Sequence, residues 1–197
     1  MARNKDAIPP SCGIIIITLA LAVLLVLAFA FVVPVRVTVD EATLGRLALT
    51  APRSGTAPAS LAYDLSLAVA LRNRNWAMAV WRTAPLVVEL RFRGRTFARA
   101  GLAGAGRDRI RAEREHVYRA TLAAESAPVA LGRGGVTEFA RESAAGVFEL
   151  VLAVAGEVSY QAHLHRRSIR VTCPLKLSLS TATAPAPFSR VKCTHAG

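Results

Sequence analysis

Two cysteines have the spacing to form a structural disulfide. Residues 173 to 193 inclusive make a loop of twenty-one residues between Cys173 and Cys193. If that part of the chain lies in an oxidising compartment, a bridge would stabilise the fold by about 3 kcal/mol through the chain entropy of the unfolded state. The alternative is two unpaired thiols, one buried in a strand and the other near the end of the chain. We predict the bridge.

Two histidines could bind zinc by their spacing. His163 and His165 are two residues apart, so on a strand both side chains would face the same side. Zinc needs at least one more protein ligand, and no third ligand lies near them in sequence. Arg166 and Arg167 follow directly and would repel a cation. We therefore expect two solvent-facing histidines and no metal site.

The motifs of several catalytic classes do not occur in this sequence. It contains no Gly-x-Ser-x-Gly nucleophile elbow, no phosphate-binding Walker loop, no His-Glu-x-x-His pair and no Cys-x-x-Cys pair. Scattered Ser, His and Asp residues are present, as they are in most chains. We expect no enzymatic activity and no cofactor, with a secreted hydrolase as a minor alternative.

Arginine dominates the basic residues and concentrates in the middle of the chain. Only Lys5, Lys176 and Lys192 are lysines, and the net charge is +12. From residue 72 to residue 119 there are twelve arginines against four acidic residues, a local net charge of +8. We expect one strand over residues 86–97, on which Arg91, Arg93 and Arg95 share a face and could bind phosphate or carboxylate. Outside the cell such groups belong to anionic lipid or pectin, and we expect no nucleic acid partner. The alternative is that these arginines form a solvent-exposed face without a ligand, and that their number only reflects codon composition.

The elements that must position these residues begin with a membrane segment. Residues 14–33 are twenty consecutive uncharged residues, and as a helix they would rise about 30 Å, the thickness of the hydrocarbon core. We predict a transmembrane helix there, ended by Pro34. The alternative is a signal peptide cleaved near Ala30, although the apolar run is longer than a signal peptide requires. Either way, the rest of the chain leaves the cytosol.

Charges at the two ends of this segment predict its orientation. Arg3, Lys5 and Asp6 precede the segment, whereas Asp40 and Glu41 follow Arg36 on the other side. The excess of positive charge on the short side favours a cytosolic tail at residues 1–13 and an extracytosolic domain at residues 34–197. Cys12 lies beside the segment, where palmitoylation occurs, although a free thiol is the simpler expectation.

The remainder of the sequence has the period of β-strands. Apolar residues recur at every second position over residues 61–71, 86–92 and 35–39, and Gly94 indicates a turn. Further strands are expected at residues 118–124, 147–155, 158–164, 169–173 and 175–179. Residues 137–143 favour a short helix that Gly146 ends. With 53% hydrophobic and 19% charged residues, these patterns exclude overall disorder and predict an all-β antiparallel sandwich of about seven strands.

The order of these features resembles a plant protein family. A short basic tail, an apolar segment, and a strand-rich domain with Asn73-Arg74-Asn75 after its first long strand are similar to the late embryogenesis abundant subgroup-two family. The similarity is to its membrane-anchored branch of harpin-induced and non-race-specific-disease-resistance-like proteins. Cys173, the apolar strand after it and Cys193 also match that family. The resemblance covers residues 14–193.

The resemblance implies both a fold and a role. The family fold is an immunoglobulin- or fibronectin-like β-sandwich with a short helix, and its members act in pathogen response at the plasma membrane or in dehydration tolerance. Arg74 stands where the family has proline, and the aromatic residues after the turn are reduced to Trp76 and Trp81. The expected function is protein interaction or scaffolding in defence or stress response. The alternative is protection of membrane or cell wall by binding anionic lipid or pectin through the Arg91, Arg93 and Arg95 face.

Overall fold

The computed structural model describes residues 10–50, 59–161, 165–181 and 184–195. These residues form two helices and eleven strands. In chain order, the elements are α1 (Pro10–Ala30), β1 (Arg36–Thr50), β2 (Ser60–Arg72), β3 (Val80–Arg82), β4 (Leu86–Phe92), β5 (Arg95–Ala103), β6 (Arg109–Ile110), β7 (Glu115–Pro128), α2 (Gly132–Ala145), β8 (Val147–Tyr160), β9 (Arg166–Ser178), β10 (Val191–Lys192) and β11 (Thr194–His195).

One sheet is four-stranded and fully antiparallel, in the order β10-β1-β2-β7. Its register places Arg36 of β1 opposite Arg72 of β2, and Arg72 opposite Glu115 of β7. The three residues therefore lie side by side at the end of the sheet that α1 enters. Like charges directly opposite each other are unfavourable in a sheet, so the Arg36 and Arg72 pair has a cost that the fold offsets elsewhere.

The other sheet is built around β8. Its main order is β11-β9-β8-β3-β6, with every pairing antiparallel. Two strands share the second edge of β8: β4 pairs with its residues 150–155 and β3 with its residues 158–160. β5 extends the sheet from β4. The strand β8 is thus the central element, and its two ends carry different neighbours.

Both sheets contribute to one hydrophobic core. The alternation in β4 becomes an alternation of burial, with Leu86, Val88, Leu90 and Phe92 almost fully buried and the intervening residues partly exposed. Val69 of β2 lies in the same cluster of buried residues. Burying a side chain of this size contributes about 1.5–3 kcal/mol. Apolar burial of this kind is therefore the main stabilising term of the fold.

The predicted all-β, antiparallel class is confirmed. Seven of the described strands have seven or more residues, namely β1, β2, β4, β5, β7, β8 and β9. The four extra strands have two or three residues each. The predicted break near residue 156 is wrong, because β8 continues through it as one strand. The immunoglobulin- or fibronectin-like sandwich type stays a prediction.

Helix α1 ends at Ala30, before the predicted end at Val33. Over the residues that the structure describes, no helix is long and apolar enough to cross a membrane, so the predicted transmembrane helix is not found.

Helix α2 is longer than the sequence predicted. It begins at Gly132 after Leu131, whereas the expected start was Thr137. The Leu131 side chain makes no capping hydrogen bond, so the usual signal for a helix start is missing. The end is as predicted: Gly146 adopts a positive φ of 69°, and its N–H donates to carbonyls of the last turn.

Candidate functional site

The predicted row of three arginines does not exist as one face. Arg91 lies on β4, Arg93 has a positive φ of 48° in the turn, and Arg95 begins β5. Gly94 follows with a φ of 76°, so the chain reverses inside the stretch that was expected to be one strand. The prediction was wrong because period-two spacing shares a face only along a continuous strand.

Arg91 is paired with a carboxylate on its own strand. Its Nη2 lies 2.9 Å from Oε2 of Glu89, and Arg99 of β5 bonds the other oxygen of the same carboxylate. Hydrogen bonds from these two arginines lower the pKa of Glu89. Both guanidinium groups therefore share one negative partner and have less capacity for a polyanion.

Arg93 connects the β4–β5 hairpin to α2. Its guanidinium bonds Glu138, and its Nη2 lies 3.4 Å from Oε1 of Glu142. Glu142 is buried at 5% exposure, and its other oxygen accepts a hydrogen bond of 2.8 Å from the N–H of Glu149. Arg93 thus has a structural role. Arg95 is exposed and has no ion pair among the described residues.

Asn73 organises the loop between β2 and β3. It is fully buried, and its Nδ2 lies within hydrogen-bonding distance of three carbonyl oxygens: 2.7 Å from Met78, 3.2 Å from Ile110 and 3.1 Å from Arg111. Its Oδ1 accepts from the backbone N–H of Asn75 at 3.0 Å. The side chain therefore replaces the backbone pairing that the loop has lost.

Asn75 holds the chain that leaves α1. Its Oδ1 accepts a hydrogen bond of 2.8 Å from the N–H of Val33, and its Nδ2 donates to the carbonyl of Val33 at 2.9 Å. The same Nδ2 donates to Oδ1 of Asn73 at 2.9 Å. The Asn75 amide acts on Val33 as a neighbouring strand would. The segment between α1 and β1 is thereby fixed to the domain.

Tyr160 makes a second contact with the same segment. Its hydroxyl accepts a hydrogen bond of 3.2 Å from the N–H of Val35. The phenol is 3% exposed, and burial raises its pKa. Tyr160 is the last residue of β8, so the sheet built around β8 also contacts the segment between α1 and β1. Nothing near Tyr160 in the sequence indicates this role.

Two open clefts lie beside the junction between α1 and the β domain. One, of about 230 Å³, is lined by Arg36, Arg72, Asn73, Arg74 and Glu113. The other, of about 460 Å³, includes Tyr160 and is lined further by Trp81, Thr83, Arg107, Ser159, Gln161 and Arg166. Arg109 lies 5.7 Å above the Trp81 ring and Arg167 lies 5.8 Å from the Tyr160 ring centre. Cationic and aromatic groups therefore surround the point where the chain enters the domain.

An ion pair between a buried arginine and a partly exposed carboxylate supports one side of the second cleft. Arg82 is 3% exposed, and its guanidinium bonds Asp108 at 2.8 Å and the carbonyls of Ala84 and Gly104 at 2.8 and 2.7 Å. The Arg82 hydrogen bond lowers the pKa of Asp108. Tyr118 also donates to Asp108, at 3.1 Å, and burial raises the pKa of its phenol to about 12. This cluster anchors the β5–β6 connection.

A disulfide joins Cys173 and Cys193, with an Sγ–Sγ distance of 2.00 Å. Cys173 lies on β9, and Cys193 lies between β10 and β11. The N–H of Cys193 also donates to the carbonyl of Val37 at 3.1 Å. Because β10 pairs with β1 and β11 pairs with β9, this short segment connects the two sheets.

The histidine pair receives no further support. His163 lies outside the described residues, and His165 is exposed. Among the residues that the structure does describe, no three His, Cys, Asp or Glu side chains are grouped so as to hold a metal ion.

The fold and the junction define a class: an all-β protein with a helix attached through a fixed connection. The sequence matches no protein-family model and no curated protein. Among solved structures, it is similar to a protein from Archaeoglobus fulgidus, with 8% identity, a TM-score of 0.34, and coverage of 73% of this chain and 98% of that one. A Northeast Structural Genomics Consortium target gives 12% identity, a TM-score of 0.38, and coverage of 73% and 86%. Nothing is carried over from either protein at these TM-scores.

Proposed function

We propose that this protein is a membrane-attached interaction protein. The apolar segment at residues 14–33 holds the β domain at a lipid bilayer, and the domain acts through its surfaces as a binding or scaffolding module. The tail at residues 1–13 lies in the cytosol and the domain lies on the extracytosolic side, at the plasma membrane. The defence or stress context is the part of the proposal that rests on the family resemblance.

The exposure of α1 carries this proposal. Between Ile14 and Leu27, the large apolar side chains of α1 are between 47% exposed, at Leu27, and 67% exposed, at Leu19. In water, exposing this much apolar surface would be costly. The uncharged sequence also continues from Leu27 to Val33, which supports insertion into lipid.

Interaction is favoured over chemistry because the buried polar side chains serve the fold. Asn73 and Asn75 hold the loop and the entering chain, while Arg82 and Glu142 complete structural networks. The described residues contain no buried side-chain nitrogen or oxygen atom without a hydrogen-bond partner. The exposed arginines are then the groups with capacity for a ligand.

The experiment is protease protection on microsomes containing the full chain with a tag at each end, followed by alkaline carbonate extraction. We expect a digestible N-terminal tag, a protected C-terminal tag and a full-length product in the membrane pellet. A shortened, carbonate-soluble product would mean cleavage near Ala30 and a secreted domain. An exposed C-terminal tag would place the domain in the cytosol and contradict the proposed orientation.

The alternative function is protection of membranes or cell wall during water loss. The Arg91, Arg93 and Arg95 face cannot serve it as first predicted, because those residues do not share a face. The basic residues beside α1 favour it instead, since they lie near the proposed bilayer. Leakage from dried and rehydrated vesicles, with and without the protein, separates this function from recruitment of a protein partner.

A further inference from the structure

Five exposed side chains cluster at the junction between α1 and the β domain. They are three arginines and two aromatic residues, named here the junction surface: Phe31, Arg36, Arg72, Arg74 and Trp76. Phe31 follows the last residue of α1, and Trp76 follows Asn75. The segments that carry them meet through the hydrogen bonds between Asn75 and Val33.

These bonds limit the distance of the junction surface from the end of α1. Only two residues lie between Ala30 and Val33, so the three chain steps that join them span at most about 11 Å. Asn75 is directly bonded to Val33, and its neighbours Arg74 and Trp76 therefore remain close to the helix end. If α1 is in a bilayer, the junction surface lies at the level of the lipid headgroups.

The charges of the junction surface are largely uncompensated. Arg36, Arg72 and Arg74 line the cleft of about 230 Å³ with a single carboxylate, that of Glu113. Glu115 lies opposite Arg72 in the sheet but is 3.9 Å from Arg190, which also bonds Asp40. Among the described residues, none of the three arginines forms an ion pair. An anionic ligand would complete this arrangement.

The aromatic residues point to lipid as the source of that anion. Phe31 is 70% exposed and Trp76 is 64% exposed, although both are large apolar side chains. Tryptophan is enriched where membrane proteins meet the headgroup layer, because its ring is amphipathic. Aromatic groups beside unpaired arginines at the end of an apolar helix therefore match a membrane interface.

We propose that the junction surface binds anionic phospholipid headgroups of the bilayer that holds α1, so that the β domain is docked on the membrane. This inference rests on the proposed membrane attachment. The arginines bind the lipid phosphates and carboxylates, and Trp76 and Phe31 enter the boundary between headgroups and acyl chains. Near an anionic surface each arginine strengthens binding about fivefold, and salt weakens the effect.

The test uses the full chain in nanodiscs, with Trp81→Phe so that Trp76 is the only tryptophan. Quenching of Trp76 by lipids brominated near the headgroup is compared in phosphatidylcholine and in phosphatidylcholine mixed with phosphatidylserine. We expect stronger quenching with phosphatidylserine. The triple variant Arg36→Gln, Arg72→Gln, Arg74→Gln should return quenching to the phosphatidylcholine level. The matched control Arg95→Gln, Arg133→Gln, Arg170→Gln removes three exposed arginines elsewhere and should change nothing.

Each other result overturns the proposal in a distinguishable way. If the protein is inserted but Trp76 is unquenched, the junction surface does not meet lipid, while membrane attachment stands. If quenching is equal in both lipids and in the triple variant, the arginines do not bind anionic headgroups. If the chain fails to enter nanodiscs and carbonate releases it from microsomes, the proposed function fails and the docking fails with it.

Discussion

The side-chain amide of Asn75 bonds both backbone groups of Val33, accepting from its N–H at 2.8 Å and donating to its carbonyl at 2.9 Å. Forty-two residues separate the two partners in sequence. This double contact attaches the segment that follows α1 to the loop between β2 and β3. It thereby keeps the end of α1 close to the exposed arginines of the junction surface.

Replacing Asn75 should loosen the junction. Asn75→Ala removes the contacts with Val33 and leaves Oδ1 of buried Asn73 without one donor, so the free energy of unfolding should fall by about 2–3 kcal/mol. Hydrogen exchange should accelerate at the Val33 amide. Tyr160→Phe is the matched control, because it releases only the Val35 amide. An unchanged exchange rate of the Val33 amide in Asn75→Ala would contradict the inference that the Asn75 side chain holds Val33.

Replacing Arg93 and Arg95 separately by glutamine should change the free energy of unfolding by different amounts, although the two residues are only two positions apart. Arg93→Gln removes the cation between Glu138 and the buried Glu142, and should lower stability by roughly 1 kcal/mol. Arg95→Gln should leave stability within about 0.5 kcal/mol, because its guanidinium has no ion pair among the described residues. Urea unfolding of both variants checks this. Equal effects would argue against the Arg93 connection to α2.

The ion pair between Arg82 and Asp108 should make stability depend on pH in the acid range. The pKa of Asp108 is lowered in the folded state, so its stabilising effect is complete above the unfolded value, near 4. The effect is lost as the pH falls through the folded pKa. Asp108→Asn should cost about 1 kcal/mol at neutral pH, because the carboxylate is partly exposed and screened by solvent, and progressively less below pH 4.

Unfolding curves of the wild type and Asp108→Asn between pH 2 and pH 7 measure this difference. Asp64→Asn is a suitable control, since no ion pair of Asp64 occurs among the described residues. A difference between wild type and Asp108→Asn that stays constant down to pH 2 would contradict the assignment.

Loss of the disulfide should lower stability by about 3 kcal/mol, because the twenty-residue separation no longer restricts the unfolded chain. Cys173→Ser with Cys193→Ser should match the reduced wild type in urea unfolding. Cys12→Ser is the control and should leave stability unchanged. Peptide mapping without reductant identifies the bridge directly. Free thiols at both positions in protein from an oxidising compartment would contradict it.

Local pattern predicted most of the strands because strand burial follows a local rule. The apolar alternation at residues 86–92 corresponds to alternating burial in β4. In β2, the apolar positions of residues 61–71 are mostly buried, and several of the small residues between them are buried as well. The same rule wrongly placed Arg93 on one face with Arg91 and Arg95, because it takes no account of a turn that reverses the chain. Gly94 indicated that reversal, and giving it priority over the arginine spacing would have avoided the error.

The junction could not be predicted because its contacts are distant in sequence. Asn73 and Asn75 were noted as a family turn, but nothing local indicates that one contacts residues 110 and 111 and the other Val33. Tyr160 reads as an ordinary strand residue. The start of α2 was missed for a different reason, namely the absence of a capping side chain at Leu131.

The disulfide-linked segment determines how the domain would respond to mechanical tension. A pull between α1 and the C-terminal residues enters the fold at the start of β1 and leaves through Cys193, whose N–H is bonded to Val37 only one position into that strand. The load is therefore borne first by the few hydrogen bonds that β1 makes with β10 and Cys193, whereas the disulfide keeps Cys193 attached to β9. The β4–β5 hairpin and α2 lie outside that path, so β1 is the first strand that a pull would release from the domain.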